Sequence, residues 1–464
     1  MFKKILIANR GEIALRAVRE CREMGIKSVA VYSDADTAAL FVKHADESHP
    51  LGDPEPTGSY LNMEKILGIA EKAQAEAIYP GYGFLAENPK FVEACESRGI
   101  VFIGPPSKSM HAAKPKHKSR DLMKSHGIPV SPGSDGAIED AGGVSKAFEI
   151  ADSIGYPVIV KPSGAGGGIG MKVAKSKEEL SAAMEYARAL GSEAFGLPAF
   201  YVEKYITRAK HIEFQILADK KGNTVYVSDR ECSVQRRYQK LIEEGPSPIM
   251  TPQLREKMGG DAVRIAKILN YVNALTVEFI YSMDNSQYYF NEVNTRLQVE
   301  HPLSELLTGI NLVKEQIRVA AGEELGYKQE DIKLRGWAIE CRINAEDPFM
   351  NFLPAPAKLT AYDPPGGFGV RVDGGVYAGY QIPFHYDSLI AKLLSWGRTR
   401  TEAIETMKRA LKEYRIEGVK TNIPFHIVAL DNESFRKGDY TTHFVEEQGL
   451  LKKLRELKKA GVFA

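Results

Sequence analysis

Tyr156-Pro-Val-Ile-Val-Lys161, Pro162-Ser-Gly-Ala-Gly-Gly-Gly-Ile-Gly170 and Met171-Lys-Val-Ala174 follow one another without a break. The first reads as a strand, the second as a glycine loop and the third as a returning strand. The next helix starts only at Ser176, where Glu179 completes a capping box. A phosphate loop and a dinucleotide fingerprint both need their glycines to open a helix, and no Gly-Lys-Ser/Thr is present, so both nucleotide folds are disfavoured. A glycine hairpin between two strands can instead close over a triphosphate. Its backbone N–H groups reach oxygens that side chains would keep away, and Lys161 adds a charge. Taken alone, the run also suits a glycine-rich surface loop.

Upstream, Ile5–Ala8, the helical stretch Glu12–Met24 and Ser28–Tyr32 make a βαβ unit, with Gly25 as the helix stop. Ala77–Tyr79, Asn88–Arg98 and Val101–Ile103 repeat strand, helix and strand, which predicts a doubly wound parallel sheet. The run Val130-Ser-Pro-Gly-Ser-Asp-Gly136 marks a boundary. At the far end, Leu450–Lys459 reads as a basic amphipathic helix.

Downstream, Glu278 lies in the strand pattern Asn273–Tyr281, and Glu292 and Asn294 lie in Gln287–Asn294, with the turn Asp284-Asn-Ser286 between them. A hairpin there brings the two carboxylates together. Period-two alternation puts Glu292, Asn294 and Arg296 on one face. Two carboxylates and an amide oxygen are hard ligands too few for an octahedron, which suits magnesium completed by phosphate and water. Arg296 could fork onto an oxyanion, and Glu300 could act as a base. A solvated polar face is the alternative. The segment Asp229–Lys240 is dense in cations; it reads as an anion site if Gln235 and Lys240 face the acidic cluster, or else as a solvated charged loop.

At 464 residues the chain predicts two or three lobes with clefts between them. The 61 Lys and Arg nearly cancel the 60 Asp and Glu, so no global field would hold it on nucleic acid or an anionic membrane. Cys21, Cys95, Cys232 and Cys341 form no ligand spacing or disulfide framework. The opening apolar run is too short for a leader, and no stretch approaches a membrane span. A reducing cytoplasm is the expected location.

Taken together, these segments resemble biotin carboxylase, of the ATP-grasp superfamily. The resemblance rests on Ile7-Ala-Asn-Arg-Gly-Glu-Ile13, Tyr79-Pro-Gly-Tyr-Gly-Phe-Leu-Ala-Glu-Asn88, the glycine loop, Cys232-Ser-Val-Gln-Arg-Arg237, the run Glu292–Pro302 and Glu340-Cys-Arg-Ile-Asn-Ala-Glu346. It implies an α/β and α+β architecture: a Rossmann-like sheet (1–113), an ATP-grasp lid (131–204), a catalytic subdomain (205–330), a C-terminal α+β domain (335–446) and a basic helical tail (447–464).

It also implies that MgATP phosphorylates bicarbonate to carboxyphosphate, and that the ureido nitrogen of biotin is then carboxylated. On that basis Glu278, Glu292 and Asn294 hold Mg2+ or Mn2+. ATP meets Lys116, Lys161, Gly167, Gly168, Glu203, Lys204, Tyr205, Ile206, His211, Gln235 and Tyr238, together with Glu278 and Glu292. Bicarbonate meets Lys240, Arg296, Gln298 and Val299, with Glu300 as base. Arg342 steadies the biotin enolate and Tyr82 lies by the biotin. The chain departs from usual family residues at Lys114-Pro115, Ile169, Tyr238 and Leu275. It has no Ala/Val-Met-Lys-Met setting for a biotinylated lysine, so biotin is expected on a carrier protein or a biotinylated carboxyltransferase subunit, and the resemblance implies a homodimer. Another ATP-grasp ligase and a catalytically silent nucleotide-binding subunit are the alternatives.

Overall fold

Successive residues of Ile5–Ala8 point to opposite faces of a strand and all four are apolar, which asks for cover on both sides. The computed structural model, which describes residues 1–114, 116–138, 143–162, 170–195 and 199–463, supplies that cover. β1 (Lys4–Ile7) is central to a parallel sheet with β2 (Lys27–Ser33), β3 (Glu47–Gly52), β4 (Ala77–Tyr79) and β5 (Val101–Phe102), in the order β3-β2-β1-β4-β5. Ile5 and Ile7 share a core with helix Gly11–Glu23, while Leu6 and Ala8 share another with helices Met63–Lys72 and Pro89–Ser97. This is the doubly wound arrangement expected from the sequence.

β6 (Val158–Pro162) pairs antiparallel with β7 (Lys172–Ala174) and with β8 (Phe200–Lys204). The glycine run therefore does join two strands of one hairpin. This small sheet and helices Gly143–Ile154 and Lys177–Phe195 enclose their own core, which includes Ala147, Val158, Val160, Leu180 and Phe200.

The third sheet takes β9 (Ala209–Ala218), β10 (Thr224–Arg236), β11 (Gln239–Gly245), β12 (Asn273–Ser282), β13 (Tyr288–Asn294) and β14 (Trp337–Asn344). After the short strands β15 (Glu346–Asp347), β16 (Leu353–Pro354) and β17 (Ala361–Asp363), it adds β18 (Val370–Gly374) and β19 (Leu389–Gly397), while β20 (Arg415–Glu417) pairs with β17. Its eight strands run β13-β12-β9-β10-β11-β14-β19-β18, every neighbour antiparallel. Asp229–Lys240 is thus not a solvated charged loop. Asp229 and Arg230 are fully buried within β10, and only Arg237 and Tyr238 form the tight turn to β11, both with positive φ (49° and 65°). Among the described residues no helix is long and apolar enough to cross a membrane, and all four cysteines are free and buried.

Candidate active site

The site is laid out on one face of the eight-stranded sheet, because alternate residues of adjacent strands project together. Glu278 on β12 stands opposite Glu213 on β9 and Glu292 on β13, and Glu213 stands opposite Arg230 on β10. The intervening Ile212, Phe214, Val277 and Phe279 point the other way into a hydrophobic core.

Lys240 is the hub. Its Nζ donates to Glu300 Oε1 at 2.6 Å, Glu213 Oε2 at 2.7 Å and Glu278 Oε1 at 3.2 Å. Glu300, fully buried at the N-terminus of helix His301–Thr308, also accepts Arg342 Nη2 at 2.9 Å. Arg342 sends its Nε to Glu243 Oε1 at 2.6 Å. Glu243 and Glu300, rather than its chain neighbours Glu340 or Glu346, are therefore the carboxylates that hold Arg342. Arg230 closes the network at Glu213 Oε1, 2.5 Å away.

Glu278 Oε1 also accepts Asn294 Nδ2 at 3.0 Å and Gln298 Nε2 at 3.2 Å, while His211 Nε2 faces Glu278 Oε2 at 3.0 Å and Gln235 Nε2 contacts His211 Nδ1 at 2.9 Å. β13 ends at Asn294, so Arg296 does not continue the strand face as the alternation predicts. It reaches the cluster from the following turn, contacting Asn294 Oδ1 at 3.4 Å and Gln298 Oε1 at 3.1 Å, with Glu87 3.4 Å from its Nε. The Val299 carbonyl accepts Lys392 Nζ at 3.1 Å; Lys392 also lies 3.1 Å from Glu12, to which the Tyr82 hydroxyl donates. Tyr82 is thereby tied to the cluster through one buried lysine.

Burial alone would lift the carboxyls of Glu278 and Glu300. Lys240 and His211 outweigh it at Glu278, and Lys240, Arg342 and Arg230 outweigh it at Glu300, holding both well below the usual carboxylate range. Burial pushes the Cys232 thiol well up, so it is a poor metal ligand in spite of its place beside Glu213 and Glu300. The donors that suit a hard divalent ion are the ionised Glu278, the facing Glu292 and the amide of Asn294.

A second group forms on the small sheet. Lys161 Nζ donates to Glu203 Oε2 at 2.9 Å, an oxygen that also accepts Ser131 Oγ at 2.7 Å. The side chains of Lys204 and Tyr205 do not join it: Lys204 Nζ caps the Gly155 and Tyr156 carbonyls at 2.9 and 3.1 Å, and the Tyr205 hydroxyl meets His443. Ile206 follows in the connection to β9, and Tyr238 is exposed in its turn. Gly167, Gly168, Ile169 and Pro115, and the side chain of Lys116 at the head of helix Lys116–Ser125, lie outside the described residues.

Sequence reading passed over Glu213, Arg230, Glu243 and Lys392. A two-residue step from His211 points to Glu213, and the next strand of the hairpin sets Arg230 opposite it; Glu243 and Lys392 acquire their partners only from pairing between strands far apart in the chain.

Three family models match successive stretches of the chain. Residues 1–110 match the biotin carboxylase N-terminal domain, 115–328 the ATP-binding domain of the carbamoyl-phosphate synthase L chain, and 340–447 the biotin carboxylase C-terminal domain. The chain is 58% identical over 461 residues to a pyruvate carboxylase subunit of Methanothermobacter thermautotrophicus, covering 99% of this chain and 93% of that one. It is 51% identical over 446 residues to biotin carboxylase 1 of Bacillus subtilis, covering 96% and 98%. The biotin carboxylase domain of 2-oxoglutarate carboxylase from Hydrogenobacter thermophilus, solved as a dimer with MgADP, ADP and bicarbonate, superposes with a TM-score of 0.93 at 48% identity, covering 97% of this chain and 98% of that one. The chain belongs to the biotin carboxylase family, and is the ATP-dependent ligase component of a multi-subunit biotin-dependent carboxylase.

Proposed function

We propose that the chain activates bicarbonate with MgATP as carboxyphosphate and transfers the carboxyl group to biotin on a separate carrier protein or carboxyltransferase subunit. The observation that carries this reading is the buried Glu300 carboxylate clamped between Lys240 and Arg342 at 2.6 and 2.9 Å. So held, Glu300 is ionised and ready to take a proton. An anion entering among Lys240, Arg296, Gln298 and the Val299 backbone draws the Lys240 charge off Glu300 and raises its proton affinity. Substrate binding thereby switches the base on.

Bicarbonate loses its proton to Glu300 and attacks the terminal phosphate of ATP, breaking the bond to the β-phosphate so that ADP leaves; carboxyphosphate then gives up phosphate, which takes the ureido proton of biotin as the carboxyl group bonds to that nitrogen. A divalent ion on Glu278, Glu292 and Asn294 would neutralise charge on the phosphates. The nucleotide lies between the two sheets, meeting Lys116, Lys161, Glu203, Lys204, Tyr205, Ile206, His211, Gln235 and Tyr238, with Gly167 and Gly168 on the lid excluding water. Arg342 stabilises the biotin oxyanion near Tyr82. The working units are 1–113, 131–204, 205–330 and 335–446 with the tail 447–464. A homodimer is supported by the dimeric relative, and a reducing cytoplasm by the free, buried thiols.

The test is to incubate pure protein with MgATP, labelled bicarbonate and free biotin. Bicarbonate-dependent phosphate release and label on biotin are expected; absence of both sinks the reading.

A further inference from the structure

Two glutamates that this mechanism leaves unused adjoin Arg342. Glu243 on β11 and Glu340 on β14 are cross-strand partners, and neither is exposed to solvent. Neither Glu340 oxygen has a hydrogen-bond partner among the described residues, nor does Glu243 Oε2, whereas Glu243 Oε1 accepts from Arg342. The titratable and charged groups facing the pair are Arg342 and Cys341 on β14, Lys240 on β11, Cys232 on β10, Lys392 on β19 and Glu300 at the head of its helix.

Two adjacent carboxylates in a dry sheet do not both ionise cheaply. Glu340, with no donor on either oxygen, is the one kept neutral; Glu243, with a guanidinium on it, carries the charge. Burial agrees: it raises Glu340 well above the carboxylate range, with Glu243 adding to the effect, and raises Glu243 to about 7 against the opposing pull of Arg342.

We propose that Glu243 is a positioning residue for the biotin half of the reaction, its carboxylate aiming the Arg342 guanidinium, and that Glu340 is a built-in neutral acid that leaves a single negative charge on that side of Arg342. One edge of the planar guanidinium is then fixed by two carboxylates, Glu243 against Nε and Nη2 and Glu300 against Nη2. With Glu243 neutral, Arg342 is held by Glu300 alone, and both its aim and the base it shares are disturbed. The proposal rests on the carboxylation reading above.

The test follows label transfer to free biotin across pH in the full chain. Unaltered protein gains activity as Glu243 ionises, with an acid limb near the value of about 7. Glu243→Gln loses that limb, and its kcat falls by up to about 100-fold, the scale of a misplacement of about 1 Å, while KM for ATP is unchanged. Glu243→Asp keeps the charge and retains the limb, and it serves even if Glu243→Gln folds poorly. Glu340→Gln leaves the limb and kcat in place. In an Arg342→Met background, Glu243→Gln adds no further loss, because both act through one guanidinium. A Glu243→Gln that keeps the limb and rate, a fully additive double variant, or a limb moved by Glu340→Gln overturns the proposal. If unaltered protein labels no biotin, the carboxylation reading fails instead.

Discussion

The two charged groups of the candidate site are built differently. Lys161 and Glu203 sit on a three-stranded sheet whose core is its own, with Lys161 bonded to Glu203 and Ser131 supporting that carboxylate from a loop. Lys240, Glu278 and Arg342 sit on an eight-stranded sheet backed by separate cores, with Glu300 at the head of a helix beside it, and each is held by at least two partners. The small unit is suited to closing and opening, since it can move without unpacking a shared core. The large sheet is suited to chemistry, since its groups are fixed before substrate arrives.

Variants can break that division. The largest effects belong on the large sheet: Glu300→Gln should lower bicarbonate-dependent phosphate release by roughly 10²- to 10⁴-fold, the usual worth of a general base. Glu292→Gln should abolish turnover by deleting a metal charge while leaving the thermal unfolding curve close to wild type; a large drop in Tm would assign that residue to packing instead. A smaller, different effect belongs on the lid. Lys161→Met should raise KM for ATP by about tenfold, the loss of one charged hydrogen bond, with kcat less affected. A kcat collapse there would dissolve the distinction.

The smallest effect concerns stability. Glu340 has a folded-state pKa raised above its unfolded value, so the wild type gives up stability as pH rises through and above the ordinary carboxylate range. Glu340→Gln removes that loss, and its Tm should exceed wild type by more at pH 8 than at pH 5. Glu278 and Glu300 act with the opposite sign. Their depressed values give stability that is complete above about pH 4.3 and is lost as pH falls through the folded-state values.

The strand-helix-strand units of the first sheet, the glycine run between two strands and the Glu278 to Asn294 hairpin were legible because each is read from patterns over short stretches of chain, the range over which periodicity speaks. What was not legible depends on register between distant strands. β11 lies beside β14 only after the chain has built the hairpin and three α-helices in between, so nothing near Glu243 announces Glu340 or Arg342. For Asp229–Lys240 a solvated loop stayed open beside the anion-site reading because its charges are as dense as those of a surface. They are buried because the facing strands supply Glu213 to Arg230, and Arg255 pairs Asp229 at 2.7 Å. Arg296 fell off its expected face because the strand stops two residues short of it.

The join between β11 and β14 has a consequence for how the chain can be divided. A boundary near residue 335 falls inside one continuous ladder, with Ile242 to Gly245 paired to Ala338 to Cys341. A fragment cut there would leave β11 as a bare edge, with unpaired backbone groups ready to recruit a second copy. The catalytic and C-terminal portions should accordingly melt as one cooperative unit, and fragments of either should aggregate unless supplied together.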